Sequence, residues 1–90
     1  MDLQQIRKEI DILDDQIAAL FNKRMEVVKK VALYKKRTGT GIADSNREAE
    51  IIGRVCAGEN AKLLRDVFTA VFKASRDEQS RLIEAGKNKL

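Results

Sequence analysis

The sequence predicts an all-α fold of three helices, and three observations carry that expectation. The 90 residues contain no proline and only four aromatics, against abundant Leu, Ile, Ala, Lys, Glu and Arg. Apolar residues recur at alternating steps of three and four over the first 37 positions, with nothing to break a helix. Gly39, Gly41 and Gly58 fall between the apolar-periodic runs, where turns belong. The length suits one domain over residues 1–90, near the lower size at which a chain buries a useful core unaided.

The first helix is expected from Asp2 to about Arg37. Leu3, Ile6, Ile10, Leu13, Ile17, Leu20, Val27, Val31 and Tyr34 form an a/d heptad seam along it. Such a helix is roughly 50 Å long, whereas a compact domain of this size has a radius of gyration near ~12 Å. The overhang carries an apolar stripe that needs a cover, and a second copy of the chain is the natural one. Charge suggests the direction of pairing. Residues 1–22 carry a net −3 and residues 23–37 a net +6. Part of this complements the helix dipole. Two copies would still repel when parallel and attract when antiparallel, so an antiparallel homodimer is expected.

Thr38–Asp44 reads as a loop, followed by a second helix from about Ser45 to Ala57. Its opening, "ADSNREAEI", holds several good caps. If Ser45 caps, Glu48 completes a Ser-x-x-Glu box. Yet Glu48 also shares a face with Ile51, Ile52 and Val55, so a carboxylate points toward the core. Gly53 inside this helix costs about 1 kcal/mol relative to alanine. After a turn at Gly58-Glu59-Asn60, a third helix runs to about Glu84. Its apolar positions are Leu64, Val67, Phe68, Val71, Phe72, Leu82 and Ile83.

Absences narrow the chemistry. With no histidine and one cysteine, Cys56, there is no Ser–His or Cys–His nucleophile system and no zinc site of the usual kind. A Gly-rich phosphate loop is also missing. No apolar run approaches a membrane span and no signal peptide is visible, so neither a membrane nor an exported location is expected. A single cysteine suits a reducing cytoplasm. The net charge of +4 fits an anionic partner only weakly. The bases are not clustered with aromatics, which argues against nucleic acid.

Polar residues stand where apolar ones belong. Arg24 occupies the heptad position between Leu20 and Val27, and an unpaired guanidinium there is expensive. Lys35, eleven residues on, returns to the same face about 16 Å along the axis. In the third helix Val71, Ser75, Gln79 and Leu82 share one stripe, so a hydroxyl and a carboxamide sit in an apolar row. With Glu48, five polar side chains point inward from three helices. One such residue can set the register of a bundle. Five are better explained by a cavity for an anionic small molecule. Arg7 lies seventeen residues before Arg24, roughly 25 Å away. It is either a surface arginine or, in an antiparallel dimer, the group that completes the partner's cavity.

Over nearly its whole length the chain resembles the all-helical (AroQ) class of chorismate mutases. The resemblance is carried by Arg7, Arg24, Lys35, the Asp44-x-x-Arg47-Glu48 element, and the Ser75-x-x-x-Gln79 pair in the last helix. No one piece is specific, but the ordered set of eight is. It implies an isomerase of the shikimate pathway that performs the Claisen rearrangement of chorismate to prephenate for phenylalanine and tyrosine biosynthesis. No cofactor, metal or covalent intermediate is implied. The family's architecture is an intertwined dimer with two sites, each completed by an arginine of the other subunit. Carried over, Arg24 and the partner's Arg7 would hold the two carboxylates, with Ser75 and Arg47 assisting. Lys35 and Gln79 would donate to the ether oxygen, and Glu48, with the backbone near Asp44, would take the ring hydroxyl.

Two departures stand out. The connection from Arg47 to Ser75 is shorter than is common in the family, and Arg76 stands where an apolar residue is usual. Within the fold, isochorismate-pyruvate lyase is the near alternative, and the complete Asp44/Arg47/Glu48 element favours the mutase. A non-catalytic helical dimerisation module is the alternative of a different kind.

Overall fold

The computed structural model describes residues 2–87, and the elements among them are three helices: α1 (Leu3–Thr38), α2 (Ser45–Val55) and α3 (Ala61–Lys87). Helix α1 starts at Asp2, whose carboxylate accepts from the Gln5 amide at 2.9 Å while Gln5 reaches back to the Asp2 amide. It ends in Lys35, Lys36 and Arg37, cations placed against the negative end of the dipole. Gly39 closes it in the left-handed conformation (φ 71°), its amide bonded to the Lys35 carbonyl.

Of the candidate caps at the start of α2, Asp44 and not Ser45 takes the N-cap position, and its carboxylate accepts from the Arg47 amide at 3.0 Å. An ionised cap meets the positive helix end better than a hydroxyl does. Glu48 is therefore released from the box predicted for it. The helix stops at Val55, two residues early, and the chain turns through Gly58 at φ 82°. Nothing lies within 4 Å of where a Cβ on Gly53 would stand, so that glycine serves no close contact within the chain.

Helix α3 lies along the second half of α1 and runs in the same direction. Ser75 meets Arg24, Gln79 meets Lys35, and Leu82 and Ile83 reach the level of Leu33 and Lys36. Helix α2 packs on α3 and not on α1. The core is small: Val28, Ala32, Ile51, Cys56 and Phe72 are its buried apolar members, joined by Ser75 and Gln79. On α1 the buried row is thus Val28 and Ala32, one position on from the predicted Val27 and Val31. Those two edge a hollow instead, and Tyr34 is exposed. An α-helix drifts about 20° per heptad against a strict 3.5-residue repeat, so the stripe slides round the helix along its length. The small Ala32 also offers α3 a flat place to settle.

Among the described residues, the first half of α1 is left uncovered. Leu3, Ile10, Leu13, Ile17 and Leu20 are each half or more exposed. The chain measures 59 Å on its long axis and has a radius of gyration of 16.7 Å. A compact chain of this length would be near ~12 Å. Gly39 offers a local test of the α1 terminus. A Cβ there meets no atom within 4 Å, so Gly39→Ala introduces backbone strain alone. We expect a loss of about 1 kcal/mol, read as a thermal midpoint lowered by ~4–8 °C in circular dichroism.

Candidate active site

Arg24, Lys35, Asp44, Arg47, Glu48, Ser75 and Gln79 border one hollow of about 300 Å³, floored by Val28, Ile51 and Phe72. That volume is at the small end of what small-molecule sites require. It opens to solvent on one side. Among the eight residues singled out from sequence, only Arg7 is absent from it; Arg7 is exposed on the overhanging half of α1.

Each wall is positioned for a local reason. Arg24 and Lys35 flank the buried Val28–Ala32 row, so the face of α1 that receives α3 also carries its two inward cations. Arg24 Nη1 donates to the Ser75 hydroxyl at 2.5 Å, and the Ser75 hydroxyl donates in turn to the Val71 carbonyl at 2.9 Å. The guanidinium carbon stands 5.9 Å from the centre of the Phe72 ring, within cation–π range. Phe72 is itself held against Phe68 in a tilted pair, centroids 5.9 Å apart. The charge is thus supported by a hydroxyl and an aromatic face. No carboxylate pairs with it, and none pairs with Lys35, among the described residues.

Lys35 ties three segments together. Its Nζ donates to the Ile42 carbonyl at 2.7 Å and to Gln79 Oε1 at 2.9 Å. An ammonium has three hydrogens, so one is left for a guest. It can only donate, which obliges Gln79 to present its oxygen to Lys35 and keeps the two amide hydrogens for another acceptor. Both donors border the hollow and Gln79 is buried. The pair forms a donor patch that is already assembled and only partly used.

The second helix contributes differently. Asp44 is committed to the cap, and Arg47 points along the surface to Glu50 at 2.9 Å. Glu48 does face inward, but it is not free. Arg76 Nη1 reaches both of its oxygens, at 2.7 and 2.5 Å. The sequence marked Arg76 as an extra cation near the site without supplying this partner; a carboxylate on an apolar face opposite an arginine on the next helix was the signal available. Among the described residues no cluster of His, Cys, Asp and Glu could hold a metal ion. No helix is long and apolar enough to cross a membrane.

A second hollow of about 270 Å³ lies between Ala32 and Leu33 of α1 and Leu82 and Ile83 of α3. Its walls are apolar, with polar groups supplied only by Lys29 and Lys36. It has nothing to orient a reactant. The first hollow is the candidate for chemistry.

Comparison with known proteins supplies a family. The family model described as chorismate mutase type II matches residues 6–80. A chorismate mutase of Methanocaldococcus jannaschii is 30% identical over 92 aligned positions, covering 97% of this chain and 93% of its own length. A bifunctional chorismate mutase/prephenate dehydratase of Aquifex aeolicus is 31% identical over 79% of the chain, and the T-protein of Haemophilus influenzae 35% identical over 81%. The matched parts are only 18% and 21% of those two longer proteins. No solved structure matches the chain.

Proposed function

This chain belongs to the chorismate mutase type II family, and from that premise we propose that it rearranges chorismate to prephenate, as a step toward phenylalanine and tyrosine, in the hollow described above. The observation that carries the reading is the Lys35–Gln79 donor patch beside Arg24 in one cavity. A pericyclic rearrangement needs no base and no nucleophile, so a site without histidine or reactive cysteine is no handicap. It needs the substrate folded so that its two ends meet, and gripping both carboxylates supplies that orientation. As the C–O bond breaks, negative charge grows on the ether oxygen. Preorganised donors stabilise it more in the transition state than in the ground state.

In this reading Arg24 holds one carboxylate, steadied by Ser75, with Arg47 swinging in to assist. The free hydrogens of Lys35 and Gln79 meet the ether oxygen. Glu48 accepts from the ring hydroxyl, and Asp44 keeps the adjoining backbone in place by capping α2. The second carboxylate requires the partner's Arg7, delivered by an antiparallel, intertwined homodimer. Two features support that assembly: the uncovered apolar stripe on the first half of α1, and the opposed charges of its two halves. No cofactor and no metal take part. In this reading residues 1–90 act as a single domain, and the lone cysteine fits a reducing cytoplasm.

Four measurements follow. A continuous assay of chorismate loss should find turnover in the wild type, with prephenate rather than pyruvate and salicylate as product. Lys35→Ala should fall by about 10²–10³-fold with the helical spectrum intact, the usual effect of removing one donor from a developing oxyanion. Gln79→Glu should move the activity optimum to lower pH, because a carboxyl, ordinarily ionised above about pH 4.3, donates to the ether oxygen only when protonated; an unchanged profile rejects the role given to Gln79. Arg7→Ala and Lys35→Ala should each be inactive alone. Mixed after unfolding and refolding together, they should regain about a quarter of wild-type activity, since half the dimers are mixed and one of their two sites is whole.

A further inference from the structure

We propose that Arg76 is a positioning residue of this site, which holds the Glu48 carboxylate in place to receive the substrate's ring hydroxyl; the inference rests on the function proposed above. Among the described residues, Arg76–Glu48 is the one ion pair that joins two helices. The others, Arg47–Glu50, Lys73–Asp77 and Arg81–Glu78, each lie within a single helix. Both of its members border the hollow, with side chains 36% and 26% exposed. Ser75 and Arg76 are neighbours on α3, about 100° apart around the helix. One therefore turns to Arg24 on α1 and the other to Glu48 on α2.

Glu48 without Arg76 would be a poor receiver for this guest. The substrate is a dianion, and a carboxylate in its pocket repels it across a few ångströms. A glutamate side chain with no partner also samples several rotamers, and fixing one is unfavourable. Arg76 answers both difficulties. Its charge offsets that of Glu48, and its Nη1 grips both oxygens and fixes the carboxylate plane. A carboxylate offers about four lone-pair positions, and one nitrogen bridging both oxygens occupies two of them. Two remain for a hydroxyl. Arg76 cannot do this work itself, because a guanidinium has no acceptor.

The other charges around Glu48 do not supply the same service. Arg47 is engaged with Glu50, Asp44 caps α2, and Lys35 is shared between Ile42 and Gln79. Arg24 is directed at Ser75.

The ring hydroxyl does not react, so its bond to Glu48 is equally strong in the ground state and the transition state. Loss of Arg76 should therefore appear in KM and not in kcat. The test is steady-state kinetics on chorismate with wild type, Arg76→Met, Glu48→Gln and the double variant. Arg76→Met should raise KM about tenfold, the size of one charge-assisted hydrogen bond, with kcat within about threefold. In the Glu48→Gln background the same change should move KM less than about twofold, because no carboxylate is left to hold. An equal rise in both backgrounds would mean that Arg76 grips the substrate directly and would overturn the inference. So would an unaltered KM in Arg76→Met.

If Arg76→Met fails to fold, Arg76→Lys keeps a cation in reach of Glu48. It should leave KM within about threefold of wild type, and a tenfold rise in that folded variant overturns the inference too. Exchanging the charges, Glu48→Arg with Arg76→Glu, should restore the thermal midpoint but not KM; restoration of both would reduce the pair to a helix staple. A wild type that leaves chorismate untouched removes the proposed function and this inference together. An active wild type indifferent to Arg76→Met removes the inference alone.

Discussion

Two cations on the packing face of a helix set the terms for this molecule. Arg24 and Lys35 flank the Val28–Ala32 row against which α3 settles. A charge brought into a helix interface loses hydration, and the loss must be offset by polar partners or by access to water. Neither side chain is given a carboxylate. Arg24 receives a hydroxyl and an aromatic face, and Lys35 receives a backbone carbonyl and a carboxamide oxygen. Neutral partners stabilise without cancelling the charge. The interface keeps a positive field in a hollow that would otherwise be filled with leucine.

That choice links fold to reactivity. The same bonds that make Ser75 and Gln79 tolerable in the buried row of α3 also aim the donors. Lys35 fastens the loop at Ile42 to α3, so the mouth of the hollow and its donor patch are held by one ammonium. Electrostatic catalysis of the proposed kind depends on donors that are set before the reaction begins, and the folding of this interface would set them.

Much of this was legible in the chain itself, because it was written as exceptions to a strong pattern. A heptad seam so regular makes Arg24 conspicuous, and a stripe that runs Val71, Ser75, Gln79, Leu82 exposes two polar side chains by their spacing alone. The long α1 and its overhang followed from the absence of any breaker before Gly39. What escaped was decided by choices among equals. Asp44 and Ser45 are both good caps, and the ionised one won at the positive helix end. Val27 and Val28 differ by 100° around a helix, and only the seating of α3 says which is buried. The Glu48–Arg76 bond joins positions 28 residues apart, a distance over which periodicity carries no information.

The bare stripe on α1 bears on how the molecule holds together. Among the described residues nothing buries Leu3, Ile10, Leu13, Ile17 and Leu20. In the proposed homodimer, mass action would enter its persistence: the folded form would gain free energy from the copy it binds, by an amount that grows with the logarithm of how much of it is present. Dilution would act as a denaturant for such a dimer. A melting temperature quoted for it without a concentration would describe the sample and not the polypeptide.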